Sequence, residues 1–330
     1  MTMNQDIRNN WTMDEVREIY HAPVLELMYK AATLQHKYQA IGEVQVCTLL
    51  SVKTGGCSED CAYCPQAARY NTGVDAHKLM NYDEVLDKAI DAKNAGSTRF
   101  CMGAAWRNVR DNSDFDKVID MVKGVNTLGL EVCCTLGMLT EDQATRLKEA
   151  GLYAYNHNLD TSDEHYGDII STRTYKDRLD TLYNVEKAGI SVCCGGIIGM
   201  GETDEDRMKL LHTLATRDKH PESVPVNALV SVEGTPLEGR ERVNVWEMVR
   251  MIATARILMP KAMVRLSAGR NEMTVEQQAL CFMAGANSIF AGDKLLTTPN
   301  PAFASDKEMF SLLGLVPRES FKTEEEPVTA

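Results

Sequence analysis

A chain of 330 residues that is 44% hydrophobic can bury the core of one large α/β barrel or of two smaller domains. Its formal net charge of -12 argues against nucleic acid or an anionic membrane as the main partner, because phosphate contacts need clustered Lys and Arg, and no such cluster is present. The opening MTMNQDIRNNWTMDEV lacks a signal-peptide core and no later stretch is long enough to span a bilayer, so a cytoplasmic protein is expected.

Residues from Met13 to Tyr38 read as two short helices, with Val24, Leu25, Leu27 and Met28 at helical spacing. Val44 to Leu50 reads as a strand that runs straight into GGCSEDCAYCPQ, Gly55 to Gln66. Cys57, Cys61 and Cys64 lie in that loop at a spacing that suits Zn²⁺ or an iron–sulfur cluster. A structural zinc would need a fourth ligand, and neither a nearby Cys nor a second CxxC follows; His77 is the closest His. Ten cysteines in an expected cytoplasmic chain of this size fit a disulfide framework poorly, which favours metal binding.

Beyond the loop one phrase recurs, a helix end with Gly followed by a short strand-like run: AGSTRFCMG, LGLEVCCTLG, AGLYAYNHN, AGISVCCGG and AGANSIFAG. Helices are expected at Tyr82–Ala95, Ser113–Leu128, Tyr175–Ala188, Asp204–Ala215 and Val245–Met259. Two more start at the capping boxes Thr140/Gln143 and Thr274/Gln277. Strand centres at Val44, Phe100, Val132, Ala154, Val192, Val226, Val264 and Ile289 make eight βα units, which favours a closed (β/α)₈ TIM-type barrel. The expected layout is a helical extension at 1–43, the barrel at 44–316 and an acidic, disordered tail at 317–330.

Alternation along each strand separates lumen-facing from helix-facing positions. It sends Cys101 inward with Arg99, Cys133 inward with Glu131 and Thr135, Cys193 inward with Ser191, and Arg265 inward with Ser267. Cys47, Cys134, Cys194 and Cys281 are read instead as small buried hydrophobes. A buried Arg needs anionic partners, and thiolates can supply them; on residue chemistry Arg265 balances charge. Asn156, His157, Asn158 and Asp160 fall at the C-terminal end of the fourth strand, where barrel enzymes build active sites, and Asn227 ends the sixth. The glycines of GGIIGMGET are expected to let the backbone approach a cofactor.

The CxxxCxxC loop resembles that of the radical S-adenosylmethionine (SAM) superfamily. KTGGCSEDCAYCPQ, RFCMGAAW, YNHNLDTS, VPVN, RLSAGR and GANSIFAGDKLLTTPNP resemble the biotin synthase family within it. The resemblance implies sulfur insertion between C6 and C9 of dethiobiotin by a 5′-deoxyadenosyl radical. It implies that Cys57, Cys61 and Cys64 hold a [4Fe–4S] cluster whose remaining iron binds SAM. It further implies that Cys101, Cys133, Cys193 and Arg265 hold a [2Fe–2S] cluster serving as sulfur donor, so that Arg265 becomes a ligand. Tyr63, Asn158 and Asp160 resemble SAM contacts, with Tyr63 near the adenine and Asp160 on the ribose, and Asn158 and Asn227 resemble dethiobiotin contacts. A flavodoxin-type electron donor, iron–sulfur assembly proteins and a homodimer are the implied partners. The alternative is a radical SAM enzyme of similar barrel that inserts no sulfur, against which the inward Cys101, Cys133, Cys193 and Arg265 discriminate.

Overall fold

The structure, a computed structural model, describes residues 6–320. Two N-terminal helices come first, α1 (Met13–Tyr20) and α2 (Val24–Tyr38). Then follow β1 (Glu43–Lys53), α3 (Tyr82–Ala95), β2 (Arg99–Ala104), α4 (Ser113–Thr127), β3 (Glu131–Thr135), α5 (Glu141–Glu149) and β4 (Ala154–Asn156). The second half runs α6 (Asp163–Ile169), α7 (Tyr175–Lys187), β5 (Ser191–Cys193), β6 (Gly196–Ile198), α8 (Asp204–Ala215) and β7 (Ser223–Ala228). It continues with α9 (Val245–Leu258), β8 (Met263–Leu266), α10 (Val275–Met283) and β9 (Ser288–Phe290). A hairpin of β10 (Lys294–Leu295) and β11 (Thr298–Pro299), then α11 (Phe303–Leu313) and β12 (Val316–Pro317), complete the described chain.

Strand β9 pairs back onto β1 through Gln45–Ser288, Val46–Ile289 and Cys47–Phe290, closing a parallel barrel with helices outside. The eight expected strand centres fall on β1 to β5 and β7 to β9. The fifth position is split into β5 and β6 because the chain crosses tightly at Gly195, where a Cβ would lie 1.9 Å from the Pro225 carbonyl oxygen. At Gly196 a Cβ would meet the Asp160 carbonyl oxygen at 2.6 Å. These two glycines therefore admit neighbouring backbone, a use of glycine that the reading of GGIIGMGET did not include.

The helix punctuation is local chemistry. Thr140 and Thr274 form the expected capping boxes with Gln143 and Gln277, a device worth about 1 kcal/mol at each helix start. Gly96, at φ 106°, ends α3 in the left-handed region and turns the chain into β2.

Helices α1 and α2 pack on the outside of the barrel. Arg17 Nε donates to Glu205 at 3.0 Å, Trp11 Nε1 donates to the Leu258 carbonyl at 3.3 Å, and Tyr20 is fully buried. The expected tail falls mostly on residues 321–330, which lie outside the described residues; Val316 and Pro317 pair in parallel with Glu43 and Val44.

The apolar side chains form two cores. The larger lies between strands and helices and includes Cys134, Cys194 and Cys281. The smaller fills the lumen with Cys47, Cys101, Cys133, Ala154, Phe290 and Leu295.

Candidate functional site

The loop after β1 is fixed by its own backbone and by one carboxylate. Cys57 N donates to the Gln66 carbonyl at 2.9 Å, and Ala68 N returns to the Cys57 carbonyl at 2.7 Å. Asp60 accepts the amides of Ser171 at 3.0 Å and Thr172 at 3.2 Å, pinning the loop to the segment after α6. Burial pushes the thiols up, Cys57 modestly, Cys61 to about 11 and Cys64 to about 12. Such thiols are neutral on their own and become thiolates only by taking up a cation.

A second group of sulfurs gathers below, inside the barrel. Cys101 and Cys133 are register partners on β2 and β3, and Asn156 on β4 is the register partner of Cys193 on β5. Arg265 on β8 is buried among them, with Nη1 3.6 Å from the Cys193 sulfur and Nη2 3.3 Å from the Cys47 sulfur. Its remaining partners are neutral: Nε donates to the Ser288 hydroxyl at 2.9 Å and Nη2 to Gln45 Oε1 at 3.1 Å. Among the described residues no carboxylate pairs with Arg265. Its cation therefore faces sulfurs, and negative charge there, foremost on Cys47, raises its pKa despite burial.

Cys47 belongs to this set, which corrects its assignment to packing. On β1, Val44 and Val46 join the outer core while Gln45 and Cys47 face the lumen, so strand alternation itself turns the thiol inward. Burial pushes Cys47 up, but its hydrogen bond with Cys101 and the charges of Arg265 and Arg99 bring it down to about 6. The hydrogen bond with Cys101 likewise lowers Cys133, while Cys101 is raised by its Cys133 and Cys47 neighbours.

Arg99 is the second buried cation of the lumen and closes its floor. Its guanidinium meets Glu131 at 2.8 Å and Glu222 at 2.8 Å. Unlike Arg265 it is paired with carboxylates, yet its charge still helps to bring down Cys47 and Cys133.

A cavity of about 320 Å³ joins the two sulfur groups, lined by Tyr63 and Cys64 at one end and by Cys101, Cys133 and Arg265 at the other. The ends of β4 and β7 form its wall. Asp160, at φ 68°, accepts a hydrogen bond from the Tyr63 hydroxyl at 2.7 Å and pairs with Arg178. Asn158 Oδ1 accepts from Asn156 Nδ2 at 3.2 Å and from Gly195 N at 3.1 Å. Asn227 donates to the Gly196 carbonyl at 2.9 Å and accepts from Ala268 N at 3.2 Å. His157 is buried with Nε2 unpartnered; burial, then Arg178 and Arg173, hold it well below the ordinary 6.5, so its ring is neutral.

The structure thus brings Cys57, Cys61 and Cys64 together on one loop. It brings Cys101, Cys133, Cys193 and Arg265 together in the lumen, and sets Tyr63, Asn158, Asp160 and Asn227 around the cavity between. Sequence reading missed Cys47, Arg173 and Arg178. Parity along β1 signalled the first, whereas nothing local marked the two arginines, which reach the cavity from α7 and the loop before it. Soft sulfur donors in two separate groups, all of them free cysteines, fit multi-iron clusters.

Comparison with known proteins bears on the same residues. Residues 51–214 match the Radical SAM superfamily and residues 225–316 match the Biotin and Thiamin Synthesis associated domain. The chain is 70% identical over 322 residues to the biotin synthase of Cytophaga hutchinsonii, covering 98% of this chain and 96% of that one. It is 63% identical to the biotin synthase of Myxococcus xanthus, covering 95% and 91%. The fold is shared with methylornithine synthase at a TM-score of 0.79, with 19% identity over 95% of each chain, a likeness that speaks for the barrel alone.

Proposed function

The chain belongs to the biotin synthase family, and from that membership we propose that it inserts sulfur between C6 and C9 of dethiobiotin with a lumen [2Fe–2S] cluster as the sulfur source. One observation carries the sulfur-donor reading: Arg265 is a buried guanidinium with sulfur partners and no carboxylate. A radical enzyme that only rearranged its substrate would need the first sulfur group and the cavity, but neither the lumen thiols nor this cation.

Cys57, Cys61 and Cys64 would hold a [4Fe–4S] cluster, and Cys101, Cys133, Cys193 and Arg265 a [2Fe–2S] cluster. With SAM bound, the first group would supply radical chemistry able to take hydrogen from an unactivated carbon, and the second would supply sulfur. The residues of the chain do the positioning. Tyr63 and Arg178 hold one oxygen of Asp160, leaving the other free to accept ribose hydroxyls. Asn158 and Asn227 offer amide groups to SAM and to the ureido group of dethiobiotin. Leu49, Ile197, Phe290 and Leu295 keep the cavity apolar on its remaining sides, which shields a carbon radical from water. A homodimer and a flavodoxin-type electron donor complete the proposal, as in the resemblance that suggested them.

The test is anaerobic reconstitution with iron and sulfide, followed by SAM, reductant and dethiobiotin, with biotin and the [2Fe–2S] absorbance followed together. About one biotin per chain is expected from the cluster stoichiometry. Cys133→Ala should lose the second cluster and retain SAM cleavage; biotin formation by that variant would refute the sulfur-donor assignment.

A further inference from the structure

Beside the cysteine loop lies a second cavity of about 620 Å³, open to solvent and lined by Lys53, Ser58, Arg107, Arg110, Asn112 and Asp114. Gly56 and Ser58, the neighbours of Cys57 on either side, form one edge of it, and both are exposed. Trp106 lines both this groove and the central cavity.

The charge of the groove runs against that of the chain. Three cations line it on a molecule of net charge -12. Its one lining carboxylate, Asp114, lies 3.0 Å from Lys117 and is largely compensated. Arg107 meets buried Glu59 at 3.4 Å, but Glu59 also faces Arg173 at 3.9 Å, so the arginines outnumber it. Arg110 is exposed and makes no ion pair among the described residues. Lys53 is anchored by the Gly55 carbonyl and by the Ala105 carbonyl at 3.2 Å, which sets its charge next to the loop.

We propose that this groove is the docking surface for an acidic one-electron carrier protein, which delivers its electron to the group held by Cys57, Cys61 and Cys64. The proposal rests on the radical reading above, because only that reading requires a reductant. One electron leaves the carrier, which is oxidised by one unit, and passes to the iron–sulfur group at the loop. Position and sign both support it: Cys57 is the least buried of the three loop thiols in its surroundings, and the groove is basic where an acidic partner would otherwise meet a repelling surface. Screening limits the repulsion of the distant acidic surface to about a Debye length, roughly 8 Å at physiological salt, whereas contact charges in the groove act at short range.

Titration of the reconstituted full chain with a flavodoxin, followed by flavin fluorescence at low and high salt, tests the docking directly. Arg110→Ala should weaken binding severalfold and Arg110→Glu by roughly tenfold or more. Lys261→Glu, at the opposite end of the barrel just before β8, should leave the affinity alone. The ratio of flavodoxin-driven to dithionite-driven cluster reduction should fall in the same order. Affinity that ignores both Arg110 substitutions, or that does not weaken with salt, overturns the proposal. If dithionite gives no SAM cleavage in the unsubstituted chain, the radical reading fails instead, and the binding titration still decides the groove.

Discussion

Nη2 of Arg265 lies 3.3 Å from the sulfur of Cys47, although the two residues come from opposite ends of the chain, on β8 and β1. The pairing exists because β9 closes the barrel between them: Ser288 is the register partner of both Arg265 and Gln45. Burial pushes the Cys47 thiol up, but Cys101 and the charges of Arg265 and Arg99 bring it down, so negative charge on its sulfur is favoured. Cys47→Ser removes that negative charge and should raise the reduction potential of the lumen cluster by an amount on the order of tens of millivolts. A spectroelectrochemical titration of the reconstituted variant measures it; loss of the cluster would make Cys47 a ligand instead.

Tyr63→Phe removes the hydroxyl that donates to Asp160 at 2.7 Å. A hydrogen bond to a charged group contributes about 1.5–3 kcal/mol. The variant should bind SAM about tenfold or more weakly, as read by calorimetry on the reconstituted protein, with the cluster content intact. Unchanged affinity would mean that Arg178 alone orients the carboxylate.

The two carboxylates on Arg99 differ in burial, Glu131 side chain 1% exposed and Glu222 19%. Breaking a buried ion pair by removing one partner costs about 3–5 kcal/mol. Glu131→Ala should therefore destabilise the chain by about 3 kcal/mol in urea unfolding. Glu222→Ala should cost less, since water can replace part of its contact, and the order of the two midpoints is the decisive reading.

His157 is neutral in the folded chain because burial and two arginines hold its pKa well below the ordinary 6.5, and burial lowers His220 in the same direction. The unfolded chain binds protons at these rings that the folded chain refuses. Their contribution is thus fully present above pH 6.5 and is lost as the pH falls below it. Thermal unfolding of the cluster-free chain should show a falling Tm from pH 7.5 to 5.5, on the ordinary histidine scale. His157→Phe should flatten that slope, and an unaltered slope would assign it elsewhere.

Much of this was legible before any coordinates. Helix stops at Ala-Gly and the caps at Thr140 and Thr274 are local signals, and local signals survive folding. Parity along β2, β3, β5 and β8 put Cys101, Cys133, Cys193 and Arg265 in one lumen, since a two-residue period is enforced by the pleat. The same rule applied to β1 would have turned Cys47 inward; its apolar neighbours disguised it. Arg173 and Arg178 could not be found that way, because they sit on a helix start whose approach to the cavity depends on tertiary packing. Helix α11 and the β10–β11 hairpin were also unread, their short runs giving little periodicity to detect.

The two donor sets are spaced very differently along the chain, which bears on when each could be filled. Three sulfurs within residues 57–64 can gather iron on a nascent chain. Donors spread from residue 101 to residue 265 become neighbours only when the last strands have been laid down, and each of Cys101, Cys133, Cys193 and Arg265 is then at most 2% exposed. A group held by those donors would therefore have to wait for the barrel to close. The cavity lined by Tyr63 and Cys64 at one end and by Cys101, Cys133 and Arg265 at the other is then the route by which anything would reach those donors in the closed barrel.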